Sequence, residues 1–386
     1  MLLEFDPGQR HIREREPRRL RHPRLLRALA PSGTGIVVGS AQPSKEQENK
    51  VSENRQIVIA SLPEDALRET DFELRTVPVP EPSEGEVLCR TLAITIGAGQ
   101  RAGLQGSASY AGAARADTLM AGNGVALVVE SNHENFSPGD CVTGPTGWQD
   151  YAALAGRSLT KVNGSADPAL HLGIMGTNGL TAYFGLLDVG RAKEGETVVV
   201  SAAAGSVGHT VGQIAKLKGC RVVGVAGSAA KCSIVVDELG FDAAVNYKSP
   251  DFRAAFKAAT PDRIDVYFDN TGGDILGSAL FRMNAHGRIV CCGVVSQYDT
   301  TKPGGGPRGV PGLLVNNRVR MEGFLVFDYA RRFEEARKQL MGWIDGGELR
   351  PRVTEFGGLE NAPNAFVELL AGGTVGTTIV RVSDDE

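Results

Sequence analysis

Residues 196–213, ETVVVSAAAGSVGHTVGQ, constrain this chain more than any other stretch: an apolar strand runs into a glycine turn, and the turn opens a helix. Thr197–Val200 are β-branched, and the apolar run continues without polar alternation through small residues to Ala204. That is the pattern of a central parallel strand buried on both faces. Gly205 lets the backbone approach a bound group closely, Gly208 lets the next helix sit tight on the strand, and Ser206–His209 are predicted to open that helix. The unpaired N–H groups of its first turn then face an anion. Strand, glycine turn and helix in this order are the fingerprint of a dinucleotide pyrophosphate site, with Ala202 standing where the first glycine of the usual triplet falls. The alternative is a tight turn without a ligand, and the flanking strand and helix weigh against it.

Strand and helix patterns alternate around this unit. Strands are predicted at 196–203, 221–226, 243–246, 264–269 and 287–293, and helices at 207–218, 229–239, 250–258 and 273–284. The alternation predicts an α/β fold with a doubly wound parallel sheet, whose ligands lie off the carboxyl ends of the strands. RMEGFLVF at 320–327 reads as a further strand and 331–346 as a closing helix. Upstream, QIVIA at 56–60, VALVVES at 125–131 and GDCVTG at 139–144 are short strands between polar turns, which predicts a β-rich barrel or sandwich. Residues 349–386, with a helix at 361–371 and the strand GTTIVRV, return to it. The predicted organisation is a β-rich substrate domain from 51–171 and 349–386 and a dinucleotide domain at 172–348, with the active site where they meet.

Residues 1–50 differ from the rest. Arginines crowd the first part, SGTGIVVGSAQPSKEQENK then reads as linker, and little stable structure is expected. An organelle presequence is also Arg-rich, but Glu4, Asp6, Glu14 and Glu16 weigh against that reading. VSENRQIVIASLPE reads as the natural opening of a domain, and Val51 as the in-frame trace of a GTG start codon.

With 386 residues and 42% hydrophobic content, the chain is long enough for two domains with cores. A net charge of −4 argues against a nucleic-acid partner. No run approaches ~18 apolar residues, so no membrane span is expected and the protein is read as soluble. The six cysteines form no CxxC pair and no regular framework, which suits a reducing cytosol. Cys291 and Cys292 should point to opposite faces of a strand, as buried small hydrophobes.

The second strand of the parallel sheet decides between NAD and NADP, because the adenine ribose lies at its end. An NAD site places a carboxylate there, and RVVGVAGSAAKCS has none; Gly227, Ser228 and Lys231 stand instead. A hydroxyl and an ammonium suit a 2′-phosphate, so NADP(H) is the predicted cofactor; the competing reading of Lys231 is a solvated lysine in a first helical turn. Cys89, Cys141 and His133 form no close ligand cluster, so no metal is predicted. Without a Lewis acid, an activated double bond is the easier hydride acceptor, since its charge develops on an oxygen that hydrogen bonds can stabilise.

AAAGSVGHTVGQIAKLKGCRVVGVAGS, NYKS at 246–249, FDNTGG at 268–273, GWQDYA at 147–152 and GLTAYFGLLDVG at 179–190 resemble the zinc-independent medium-chain dehydrogenase/reductases, in the branch of prostaglandin, curcumin and 2-alkenal reductases. The resemblance runs from about Glu53 to Val382. It implies a Rossmann sheet with a GroES-like barrel, NADPH-dependent reduction of a carbon–carbon double bond conjugated to a carbonyl, a small hydrophobic substrate and a homodimer. Carried over by position, it implies that Ala204, Gly205, Ser206 and Val207 hold the pyrophosphate, Lys231 and Tyr247 the 2′-phosphate, and Asn270 the nicotinamide-side ribose. Cys292, Gly293 and Val294, with Phe324, Leu325 and Val326, would pass along the nicotinamide. Tyr298 would place its phenol near the substrate oxygen or the 2′-OH, where a donor to a developing enolate is worth on the order of 3 kcal/mol. A core or surface tyrosine is the competing reading.

The chain also departs from that pattern. Gly97-Ala98-Gly99-Gln100-Arg101 stands where relatives carry Asp-Pro-Tyr-Met-Arg, so Gly99 replaces a tyrosine near the substrate. Thr177-Asn178 replaces Met-Pro, and Thr374 replaces an Asn that touches the cofactor. Tyr110 is predicted to line the pocket, and GGGPRG at 304–309 to form a mobile lid. Two other functions stay open: a quinone reductase, since Gly99 makes room for a flat ring, and an NADPH sensor without turnover.

Overall fold

An antiparallel ribbon opens the described chain, with β1 (Glu53–Ile59) paired along its length to β2 (Phe72–Pro78). The structure is a computed structural model and describes residues 52–107, 114–300 and 306–383. A second sheet is built on the long strand β3 (Glu86–Ile96). One edge of β3 meets β4 (Gly124–Ser131); the other is shared by β6 (Tyr151–Ala155) and β15 (Thr377–Arg381). β5 (Cys141–Gly144) and β7 (Thr160–Lys161) extend it beyond β4, and β14 (Val353–Gly357) extends it beyond β15. The carboxyl-terminal strands therefore belong to the same sheet as the amino-terminal ones. Ile57, Phe72, Ile94, Trp148, Phe366 and Val380 form a core between the ribbon, this sheet and α10 (Ala362–Ala371), with the Phe72 and Trp148 rings 5.5 Å apart. α2 (Pro168–Leu172) buries Ala169 and Leu172 against Ala93, Val125 and Ile379 of the same sheet.

The third sheet is parallel throughout. Its order is β10 (Ala243–Asn246), β9 (Arg221–Ala226), β8 (Thr197–Ser201), β11 (Ile264–Asp269), β12 (Met283–Cys291), β13 (Arg320–Gly323). The valines of β8 are fully buried. Val198 and Val200 pack on one face against α3 (Thr177–Phe184), α4 (Gly208–Leu217) and α9 (Phe333–Asp345). Val199 packs on the other face, in the core shared with α6 (Phe252–Ala259), α7 (Gly273–Leu280) and α8 (Val310–Asn317). This two-sided burial explains why the strand reads as an unbroken apolar run. Cys291 and Cys292 likewise go to opposite cores. β8 is flanked by β9 and β11, so the strand order reverses beside it, and a crevice opens off the carboxyl ends at that point.

Several element boundaries differ from the sequence expectation. β8 stops at Ser201 because Ala202 turns left-handed, with φ 48°. Ser206 and Val207 stay in the turn, and the helix begins at Gly208. α7 ends at Leu280, short of the predicted 284, and β12 starts at Met283 and ends at Cys291. Cys292 and Gly293 leave the sheet because both their N–H groups turn back to the Asp269 carbonyl, at 2.9 and 3.1 Å. RMEGFLVF is a strand only through Gly323: the Phe324 ring folds over Gly185, and Val326–Arg332 winds into a 3-10 helix. Residues 1–50, Tyr110 and part of the predicted lid at 304–309 lie outside the described residues. Among the described residues no helix is long and apolar enough to cross a membrane.

Candidate active site

A cavity of about 1640 Å³ follows the crevice beside β8 and continues to the β-rich sheet. At its centre is the turn after β8, whose shape comes from small residues. A Cβ on Gly208 would stand 2.2 Å from the Ala202 carbonyl oxygen, and one on Gly212 would enter the Phe241 ring. Only glycines allow the helix to approach this strand and turn so closely. Ala202 takes a left-handed conformation that costs an alanine roughly 1–2 kcal/mol. Ala204, Gly205, Ser206, Val207 and Gly208 all line the cavity. The Gly376 N–H donates to the Ala204 carbonyl at 2.8 Å, so the start of β15 is stitched to this turn.

His209 lies just behind the turn, completely buried. Its Nδ1 is 2.9 Å from the Gly205 carbonyl oxygen and must carry the proton to donate there; Nε2 lies 3.4 Å from the Thr210 hydroxyl. Burial pulls its pKa down to about 4, so a neutral imidazole braces the turn. Sequence reasoning passed over this residue, since a histidine inside a small-residue motif carries no pattern of its own.

Beyond β9, the cavity wall is Gly227, Lys231, Tyr247 and Lys248. The Lys231 ammonium is half-buried and donates to the Thr374 carbonyl at 2.7 Å, and burial, then the nearby Lys248, lowers its pKa. Ser228 is not part of the wall; its hydroxyl caps α5 (Ala229–Ser233) by accepting from the Lys231 N–H at 3.2 Å. Lys248, within NYKS but not singled out from the sequence, lies 5.9 Å from the Tyr247 ring centre. Two ammonium groups and a phenol around an open pocket match a dianionic phosphate.

On the other side of the turn, the Asn270 amide is fixed by donating to the Ser201 carbonyl at 2.8 Å, while the Asn270 N–H meets the Ser201 hydroxyl at 2.9 Å. Asp269 accepts from the Gly272 and Thr271 N–H groups at 2.8 and 3.0 Å and from the Tyr267 hydroxyl at 3.1 Å; burial raises its pKa against those donors. Asn270, Cys292, Gly293 and Tyr298 line the cavity, as do Phe324, Leu325, Val326 and Thr374. Val294 does not; its side chain packs toward Gly272.

The rest of the lining comes from both halves, from α1 of the β-rich half and from α3 of the parallel-sheet half. Gly99 on α1 (Ala98–Leu104) lines the cavity, and nothing lies within 4 Å of where its Cβ would be. Thr177 and Asn178 enter from the first turn of α3. The cavity thus brings Lys231, Tyr247, the turn after β8, Asn270 and Tyr298 together with Gly99, Thr177 and Asn178, and Ser228 and Val294 are outside its lining.

A parallel nucleotide-type sheet, a β-rich partner and one cleft between them define a two-part oxidoreductase. Residues 55–162 match the family described as the N-terminal domain of oxidoreductase, and residues 206–344 the family described as zinc-binding dehydrogenase. The chain is 41% identical over 338 residues to the NADPH-dependent curcumin reductase of Escherichia coli (strain K12), covering 86% of this chain and 98% of that protein. It is 38% identical over 340 residues to the 2-alkenal reductase (NADP(+)-dependent) of Nicotiana tabacum, covering 86% and 98%. The crystal structure of CurA from Vibrio vulnificus in complex with NADPH matches with a TM-score of 0.82 at 40% identity, over 86% of this chain and all of that one. The chain belongs to the zinc-independent medium-chain dehydrogenase/reductases, in the branch of curcumin, prostaglandin and 2-alkenal reductases.

Zinc, named in the second family's description, finds no donor set here. Among the described residues no group of three or more His, Cys, Asp and Glu side chains is placed to hold a metal. Cys89 and Cys141 are buried in the β-rich cores, and Nδ1 of His133 accepts from the Asn135 N–H at 3.1 Å.

Proposed function

We propose that this chain is an NADPH-dependent reductase of carbon–carbon double bonds conjugated to a ketone or aldehyde, working without a metal. The observation that carries this reading is the continuity of one cavity, from Lys231 and Tyr247 past Gly205 and Asn270 to Tyr298 and Gly99. NADPH, when bound, supplies the hydride. The chain's own residues hold and orient. Lys231, Lys248 and Tyr247 take the 2′-phosphate, the Ala204–Gly208 backbone takes the pyrophosphate, and Asn270 takes the ribose. Tyr298 is read as the donor to the carbonyl oxygen, stabilising the charge that develops there as the β-carbon is reduced. Thr177, Asn178 and the space above Gly99 admit a small hydrophobic carbonyl compound.

The test is a panel of enones, alkenals and quinones with NADPH, followed at 340 nm with product mass. Saturated ketone or aldehyde products support the reading. Turnover confined to quinones supports the alternative that the space at Gly99 favours, and saturable NADPH binding without turnover on any acceptor supports a sensor. Tyr298→Phe should lower enone turnover far more than NADPH affinity; an unchanged rate removes the phenol from the mechanism.

The remaining readings belong with this one. β13 is the edge of the parallel sheet, paired on one side with β12, and Leu325 and Phe327 are exposed just after it. An open edge beside apolar side chains is the basis for reading the protein as a homodimer, which light scattering tests directly. We keep the division into 51–171 with 349–386 and 172–348, and place the enzyme in the cytoplasm because its six cysteines follow no CxxC or regular disulfide spacing.

A further inference from the structure

The residues on both sides of Tyr298 are held by one short helix of the opposite wall. The Arg101 side chain, on α1, is 1% exposed, and its Nε donates to the Asp299 carboxylate at 2.9 Å. Nη2 of the same guanidinium donates to the Asp65 carbonyl at 2.6 Å, which fixes the plane of the fork. Asp299 Oδ1 also accepts from the Leu67 N–H at 2.6 Å, so that carboxylate is bound twice by the β-rich half. One helical turn after Arg101, Gln105 Nε2 donates to the Gln297 carbonyl at 3.3 Å. Residues four apart share a helix face, so Arg101 and Gln105 reach the same loop. Between their two targets stands Tyr298, a residue of the cavity lining. Asp299 adopts φ 60°, a left-handed conformation that a residue with a side chain keeps only where its surroundings hold it.

We propose that Arg101 and Gln105 form a clamp, closed on Asp299 and Gln297, that positions the Tyr298 phenol over the substrate. α1 also carries Gly99, so the clamp ties the substrate wall to the proton donor as one rigid unit. Arg101, Gln105 and Asp299 are positioning residues, since they act through Tyr298. The inference rests on the reading of Tyr298 as the donor to the substrate oxygen.

Steady-state kinetics on an enone, NADPH binding and the NMR resonance of Tyr298 test it together. The ring is labelled with ¹³Cζ-tyrosine and its signal identified by its loss in Tyr298→Phe. Asp299→Ala should lower kcat about 10- to 100-fold, as expected for a group misplaced by about 1 Å. It should leave the NADPH Kd within about twofold and shift or broaden the Tyr298 resonance. In the Tyr298→Phe background, Asp299→Ala should cost no more than about twofold further, because its effect runs through the phenol. Gln105→Ala, at an exposed side chain, should move kcat and the resonance in the same direction by less. Should Asp299→Ala not fold, Asp299→Asn keeps the acceptor and removes the charge. An undiminished kcat with an unmoved resonance in Asp299→Ala and Gln105→Ala overturns the clamp, as does an equal loss with and without the phenol. If Tyr298→Phe alone keeps full turnover, the donor reading falls, and the resonance still decides whether the clamp places the ring.

Discussion

Lys231 and His209 stand after the neighbouring strands β9 and β8, and desolvation sets the chemistry of both. Lys231 is half-buried and already bonded to the Thr374 carbonyl, so its ammonium is oriented and short of water, as the proposed 2′-phosphate ligand should be. Lys231→Ala should weaken NADPH binding by about 1.5–3 kcal/mol, the range for a hydrogen bond to a charged group, and leave NADH binding almost untouched. Fluorescence titration with both cofactors measures this, and an equal loss for both would show that Lys231 holds the fold rather than the phosphate. His209 has the opposite task, being held neutral. Its folded pKa of about 4 lies below the ordinary 6.5, so the unfolded chain binds more protons between those values. Stability from this residue is therefore complete above about pH 6.5 and declines as the pH falls toward 4, by about 3 kcal/mol in all. Urea unfolding of the wild type and His209→Gln at pH 7 and pH 4.5 isolates the effect. The gap between the two proteins should narrow at the lower pH, and a constant gap would mean that His209 carries no such linkage.

At the level of elements, the turn between β8 and α4 was legible because backbone geometry dictated its residues. Gly208→Ala would push a methyl group into the Ala202 carbonyl, 2.2 Å away, so strand and helix must separate. A melting temperature lowered by the equivalent of about 1–3 kcal/mol is expected, with NADPH affinity lost alongside. An alanine variant that binds normally would show that the turn has slack the geometry denies it. β9 was equally legible, because a strand buried along its length leaves a nearly unbroken apolar run, and β10 and β11 followed from the alternation with helices around it. RMEGFLVF was not: its second half is as apolar as a strand, but Phe324 is spent on packing against Gly185 rather than on pairing. Ser228 is ambiguous for a related reason, since a hydroxyl before a helix serves as a cap or as a phosphate ligand, and here it caps α5. The substrate wall was read as a set of absences at Gly99, Thr177 and Asn178. The clamp was beyond reach, because Arg101 and Asp299 are far apart in sequence and share no periodic pattern.

Across the whole molecule, bonds that join the two halves around the cavity include Gly376 to Ala204, Thr374 to Lys231, and Arg101 and Leu67 to Asp299. The joints at Ala204 and Lys231 involve residues assigned to the cofactor, so binding and the joining of the halves should be linked. A ligand that binds only the folded chain stabilises it by about 2.7 kcal/mol at a hundredfold excess over Kd. NADP⁺ at such an excess should therefore raise the melting temperature of the full chain by several degrees, and NAD⁺ at the same concentration by far less. Since the residues proposed to hold the cofactor include Thr374 as well as Lys231 and Ala204, the shift should move one cooperative transition as a unit. Two transitions, of which NADP⁺ moves only one, would mean that the joints are too weak to couple the halves. Lys231→Ala should lose most of the NADP⁺ shift. Asp299→Ala should keep it, because its joint lies on the substrate side and holds Tyr298 rather than the nucleotide.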